Sequence, residues 1–222
     1  MLLKEIIEQH EFFSSLDEKS IKQLASISTL HSCKKGYIYC YENSKSDELL
    51  FLISGLARSY KIDKYNNEVF LHYIYENSMI SEISDLDDPL IDNFSNVELV
   101  EDSKILAIKY KKFKKYFLDT NLLCKAFSKE IVNRSLQLQS LINREFIFDA
   151  VSKVSLMLHN DLQMFNKLKR YDISKMLHIQ PATLSRVLNR LKRDKIIDII
   201  HGKIEVLDPI ALQEIYKDKI DE

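Results

Sequence analysis

The stretch from Asp172 to Arg193, DISKMLHIQPATLSRVLNRLKR, constrains this chain more than any other, because two apolar stripes of helical period flank a few turn-forming residues. In the first half Ile173, Met176 and Leu177 fall on one face, and in the second Leu184, Val187, Leu188 and Leu191 do the same. Pro181 suits the first turn of the second helix, where a missing N–H removes no intrahelical bond. The pattern predicts a helix-turn-helix. Its outward residues, Thr183, Ser185, Arg186, Asn189, Arg190, Lys192 and Arg193, are donors and cations without a carboxylate. Such a face fits the major groove of DNA. Helical hairpins inside many globular proteins share the periodicity, however, and a basic exposed face is often only solvated.

The following residues favour the nucleic-acid reading. IIDII, then His201-Gly202-Lys203, then IEV predicts a β-hairpin with Gly in its turn. Asp208-Pro209 supplies an N-cap and a first-turn proline for a last helix through Ala211, Leu212 and Ile215. A helix-turn-helix followed by a β wing is a winged-helix domain. Between Gln163 and Lys203 ten basic side chains stand against three acidic ones, a net charge of +7, whereas the whole chain carries −1. The positive charge is gathered where phosphates would be met.

The 222 residues, 45% of them hydrophobic, allow one large or two ordinary domains with real cores. No apolar run reaches the roughly 18–20 residues that span a bilayer. The N-terminal MLLKEIIEQHEFF carries acidic residues and lacks the apolar region of a signal peptide. A cytoplasmic protein without a membrane partner is expected. Cys33, Cys40 and Cys124 form no C-x-x-C, so neither a disulfide framework nor a zinc ribbon is indicated, and no metal site is expected. No nucleophile–base pair or phosphate-binding Gly loop is visible, and the chain has only three glycines. Catalysis is therefore not expected, and no residue is assigned to it.

Taken in order, the chain opens with two short helices, striped by Leu3, Ile6 and Ile7 and by Ile21, Leu24 and Ile27 around Phe12-Phe13 and Ser15-Leu16-Asp17. From His31 to about Tyr110 short β-branched and aromatic segments alternate with polar turns, predicting a compact antiparallel sandwich or barrel. Within Glu68 to Tyr75, the alternation of Val69, Leu71, Tyr73 and Tyr75 predicts one buried face. Lys111-Lys112-Phe113 opens a short helix, and a longer one without Gly or Pro is expected from about Asp119 to Asn143, a rod of about 37 Å. Cys124, Phe127, Ile131, Leu138 and Leu141 follow heptad steps along it, with Arg134 where the repeat skips. That seam could pack on its own domain. Its place between a β domain and a winged helix favours a dimer coiled coil through Phe127, Ile131, Leu138 and Leu141. A dimer would set two reading helices about 34 Å apart, one DNA turn. Asp149 to Asn160 is expected to form a helix with Val151, Val154 and Leu158 inward.

This order resembles the Crp/Fnr family of bacterial transcription regulators over essentially the whole chain. FFSSLDEKSIKQLA, KKGYIYCYENSKSDELLFLISGLARSYKI and PATLSRVLNRLKRDKII carry the resemblance, the last most specifically. It implies an α+β fold: an N-terminal antiparallel, jelly-roll-like β-roll sensor domain (1–118), a dimerisation helix (119–145) and a C-terminal winged helix-turn-helix domain (146–222). It also implies a homodimer that contacts double-stranded DNA and RNA polymerase. In cyclic-nucleotide-binding members a segment of the form G-E-[LI], followed by Arg-Ser, cradles the phosphate. Here the matching residues are Ser81-Glu82-Ile83 and Asn93-Phe94, which lack the bidentate Arg and the Gly that admits a phosphate, so cyclic AMP is not expected. Three cysteines are too few for an iron–sulfur cluster. Some members hold haem in the β-roll and answer nitric oxide or carbon monoxide. His31, Cys33, Cys40, His72 and Met79 are axial ligands by type, with His72 the best placed, and Glu82 could hold a ribose hydroxyl.

The family's reading helix commonly carries Glu-Thr-x-Ser-Arg, and this chain has Ala182-Thr183-Leu184-Ser185-Arg186. The match gives Arg186 a guanine edge, Ser185 a base edge or thymine methyl and Thr183 a phosphate. Ala182 departs from it, because a methyl cannot accept from cytosine as the usual Glu does. The half-site expected is A·T-rich with one G·C pair. Pro181, Asn189, Arg190, Lys192 and Lys203 complete the expected DNA face. The competing expectation is a cyclic-nucleotide-type ligand-binding regulatory module that does not touch DNA.

Overall fold

The computed structural model describes residues 3–217, so the last five residues of the expected 146–222 domain lie outside the described residues. The chain forms two compact units, one up to Ser135 and one from Leu136 on. The first opens with α1 (Leu3–Gln9), a 3-10 turn at Glu11–Phe13 and α2 (Glu18–Ser26). Asp17 caps α2 by accepting from Ser20 N at 2.8 Å, which satisfies one of the helix's orphan donors.

Ten strands follow: β1 (Ser28–Cys33), β2 (Ile38–Cys40), β3 (Lys45–Ser46), β4 (Glu48–Ser54), β5 (Ala57–Ile62), β6 (Glu68–Ile74), β7 (Ser78–Met79), β8 (Ile91–Asp92), β9 (Asn96–Leu99) and β10 (Ser103–Lys109). They pair antiparallel in two four-stranded sheets, ordered β1-β10-β4-β7 and β2-β9-β5-β6, with a short β3-β8 ladder. The run Leu49-Leu50-Phe51-Leu52 in β4 is apolar throughout because it is buried on both faces. Leu49 and Phe51 join Phe13, Leu24, Phe113 and Phe117 in a core with the helices. Leu50 and Leu52 meet Ala57, Ile74, Val97 and Leu99 in a second core. Successive side chains of a strand point to opposite faces, so one strand serves both.

The expected buried face of β6 is corrected. Phe70 and Ile74 are buried, while Val69, Leu71 and Tyr73 are only half-buried and Tyr75 is exposed. Both faces of VFLHYI carry apolar residues, so alternation alone does not choose between them, and a register shift on β5 at Ser59/Tyr60 adds to the ambiguity.

After α3 (Tyr110–Phe113) the helix widens into a π turn at Lys114–Leu118 and breaks before α4 (Cys124–Ile142). The break falls at Asn121, whose φ of 63° is a conformation asparagine tolerates better than most side chains. The long helix is therefore shorter than the sequence suggests, 19 residues or about 28 Å. Along it Phe127 packs into the core of the first unit rather than lying on a free seam. Ile131 and Leu138 are 53% and 60% exposed, and Leu141 is half-buried.

The second unit holds a π turn at Asn143–Ile147, then α5 (Ala150–Asn160), α6 (Leu162–Lys167), α7 (Arg170–Met176), α8 (Pro181–Arg193), β11 (Ile197–Ile200), β12 (Lys203–Val206) and α9 (Pro209–Lys217). Asp149 caps α5 through Ser152 N, and Asp208 accepts from Ile210 N and Ala211 N at the start of α9. Val154, Leu158, Phe165, Ile173, Leu184, Leu191, Ile197 and Leu212 are buried in its core, and Val151 is half-buried.

Candidate nucleic-acid interface

The α7–α8 pair is built around a turn without glycine. His178 takes φ of 51°, and Ile179 N donates to Ser174 O at 3.0 Å while His178 N donates to Lys175 O at 3.1 Å. These bonds close the C-terminus of α7 in the way a Schellman motif does. Pro181 then starts α8, whose Leu184, Val187, Leu188 and Leu191 are buried. The same rotation exposes Pro181, Ala182, Ser185, Arg186, Asn189, Arg190, Lys192 and Arg193 and leaves Thr183 half-buried. Lys203, at the start of β12, is exposed as well. One continuous helical face thus carries the residues the sequence singled out on α8.

Several of these side chains rest on their own helix. Arg186 donates from Nη2 to Thr183 Oγ1 at 3.1 Å and from Nε to Ala182 O at 3.4 Å, and Ser185 Oγ donates to Pro181 O at 3.1 Å. Lys192 Nζ lies 2.8 Å from Asp198 Oδ1 on β11, and this contact holds the Asp198 carboxyl below its ordinary range. An exposed pair of this kind is worth about 0–1 kcal/mol, so a phosphate can compete for the lysine.

The wing is fixed by residues the sequence reading did not select. Arg170 Nη2 donates to Gly202 O at 2.9 Å, with its guanidinium 4.7 Å from the centre of the Phe165 ring. Asn166 makes a reciprocal pair with Ile204, donating from Nδ2 to its oxygen at 2.9 Å and accepting its N–H at 2.7 Å. His201 and Gly202 both have positive φ, as a tight two-residue hairpin turn requires. The only hint in sequence was the position of Asn166 and Arg170 just before the reading motif. A second unread cluster surrounds Glu145, which accepts from Arg144 Nε at 3.0 Å, lies 2.7 Å from His178 Nδ1 and is 4.0 Å from Lys153 Nζ. Burial works against its ionisation, but these partners outweigh it and hold the carboxyl below the usual range.

In the first unit the expected effector residues come together with one that was not expected. Arg134 of α4 places Nη1 3.2 Å from His72 Nε2 and 3.8 Å from Glu82 Oε1. Its Nη2 donates to the carbonyl oxygens of Met79 and Ile80. A cation at the skipped heptad position was the signal that this side chain had a partner off the seam. Of the remaining candidate ligands, His31 Nδ1 lies 3.2 Å from Tyr39 OH, and burial pushes the Cys40 thiol up to about 12. Among the described residues no helix is long and apolar enough to cross a membrane.

Residues 155–215 match the Crp-like helix-turn-helix domain. No curated protein sequence matches the chain. Among solved structures, a CooA mutant from Carboxydothermus hydrogenoformans aligns with a TM-score of 0.72 at 17% identity, over 98% of this chain and 96% of that one. FixK2 from Bradyrhizobium japonicum aligns at 0.65 and 17%, over 85% and 97%. A structure from Eubacterium rectale assigned to the Crp/Fnr family of transcriptional regulators aligns at 0.65 and 17%, over 93% and 98%. The chain therefore has the Crp/Fnr fold, and its C-terminal unit carries a Crp-like helix-turn-helix domain.

Proposed function

We propose that this protein is a sequence-specific DNA-binding transcription regulator that acts as a homodimer on an A·T-rich palindrome and modulates RNA polymerase. The observation that carries the reading is the outward face of α8, where Ser185, Arg186, Asn189, Arg190, Lys192 and Arg193 are exposed together with no carboxylate inside the helix. Asp194, which ends it, lies 3.7 Å from Arg190 Nε and 3.8 Å from Arg193 Nε, exposed contacts of the same weak kind as Lys192 with Asp198. Lys203 on the wing adds a cation beyond the helix. The E. rectale neighbour is described as a transcriptional regulator, which agrees.

Dimerisation is supported by α4. Ile131, Leu138 and Ile142 lie within about 40° of one line along a helix that turns ~100° per residue. All three are exposed, and Val132 and Leu136 add apolar surface on the adjoining side. A second copy of α4 would cover the stripe, with Leu141 at its margin and Phe127 serving the core of its own unit instead. The test is selection from a random double-stranded DNA library by the purified protein, with its mass in solution measured in parallel. Enrichment of a palindrome by a dimer supports the proposal, and absence of any enriched sequence overturns it.

A further inference from the structure

Beyond Phe127 the first unit meets α4 through an exposed ion pair of Lys129 with Glu11 at 2.5 Å and, further along, through the partly buried Arg134. The Arg134 side chain is 18% exposed, and five acceptors face the guanidinium: the carbonyls of Met79 and Ile80, His72 Nε2, and the carboxylates of Glu82 at 3.8 Å and Glu130 at 3.9 Å. A guanidinium only donates, so His72 must present an unprotonated Nε2 there. The acceptors come from three places in the chain: β6, the β7 strand with the segment after it, and the preceding turn of α4 itself. The cradle is built for a cation and repels an anion. Through it the β-roll holds one of the chain's own side chains where Glu82 and His72 would otherwise face a small ligand.

We infer that Arg134 is a built-in tether that makes this regulator competent for DNA without any small-molecule effector. The inference rests on the DNA-binding reading above. An α-helical segment shorter than about 12–15 residues and free of tertiary contacts is marginal in water. Beyond Phe127, α4 has to stay helical through Ile142, and Arg134 anchors it two turns further along. The anchor also fixes the rotation of the helix at the end of the first unit, so that Ile131 is offered to a second copy in one direction. A small effector that ordered this helix would be doing what Arg134 already does. His72 Nε2, engaged by the guanidinium, is likewise not presented to haem iron.

The test uses the full chain and the palindrome it selects, with no additive. Wild type binds; Arg134→Ala binds at least tenfold more weakly and dimerises less. Arg134→Lys stays weak, because one ammonium on a narrower head cannot reach both carbonyls and His72 together. Millimolar methylguanidinium restores the affinity of Arg134→Ala and leaves that of Arg186→Ala unchanged. Wild-type affinity in Arg134→Ala overturns the tether, as does a loss that methylguanidinium does not reverse, or a wild type that binds only after a small molecule from a cell extract is added. A wild type that selects no sequence under any condition overturns the DNA-binding reading instead.

Discussion

Arg170, at the first position of α7, is hydrogen-bonded to the carbonyl oxygen of Gly202 in the wing turn at 2.9 Å. The bond joins the reading motif to the hairpin that follows it, so the wing is not an independent appendage. A hydrogen bond involving a charged group contributes about 1.5–3 kcal/mol. Arg170→Met should therefore speed amide hydrogen exchange in β11 and β12 by roughly tenfold while exchange in α8 keeps its rate. Unchanged exchange in the wing would show that Asn166 alone fixes it.

Glu145 gives the second unit an acid-sensitive fastening. Its carboxyl lies below the ordinary value in the folded state, held there by Arg144, His178 and Lys153 against the effect of burial. For a carboxylate with a depressed folded pKa, the stabilisation is complete above the unfolded value of about 4.3 and is lost as pH falls through the lower folded value. Thermal unfolding followed from pH 6 down to pH 3 should show wild type more stable than Glu145→Gln at the upper end and the two converging at the lower. A constant difference across that range would mean the ion pairs contribute nothing.

Gly55 follows β4 with φ of 98°, and a Cβ there would fall on Ser103 Oγ and 2.8 Å from Asp102 O. Backbone strain and the clash each cost about 1–3 kcal/mol. Gly55→Ala should lower the stability of the first unit by about 3 kcal/mol, read from the denaturant midpoint. Gly36 is a control, since its φ is also positive but nothing stands within 4 Å of a Cβ. Gly36→Ala should cost distinctly less.

The helix-turn-helix, wing and last helix were legible because their signals are local: one apolar stripe per helix, Pro181, Gly202 and the Asp208-Pro209 pair each dictate a conformation within a few residues. The β-roll was legible as a class of structure but not in register, because β6 carries apolar residues on both faces and a register shift at Ser59/Tyr60 interrupts its pairing with the preceding strand β5. The heptad steps through α4 marked a helix correctly, yet could not say that Phe127 turns into its own core while Ile131 stays exposed. Arg134 at the skipped heptad position signalled a side chain off the seam, but its partners His72 and Glu82, like Gly202 for Arg170, had no local signature. Each depends on where the fold brings a side chain across a separation of 32 positions, for Arg170 and Gly202, to 62, for Arg134 and His72.

The exposed cations of α8 should separate into two kinds when mutated. Arg186 is folded back on Thr183 and Ala182, poised at the N-terminal half of the helix, where a guanidinium can turn to a guanine edge. Arg186→Ala should relax preference at one base pair by about 1–3 kcal/mol. Ala182→Glu should add a preference for cytosine that wild type lacks. Lys192 lies 2.8 Å from Asp198 near the C-terminal end of α8, and its proposed partner is phosphate. Lys192→Ala should weaken binding across all sequences and reduce the slope of log affinity against log salt by about 1. Asp198→Asn frees the same lysine and removes a negative charge, so it should raise affinity without altering the selected sequence. Binding isotherms on the selected palindrome and its single-base variants at several salt concentrations distinguish these outcomes. If Lys192→Ala shifted base preference while Arg186→Ala left it intact, the assignment of reading and anchoring roles along α8 would have to be reversed.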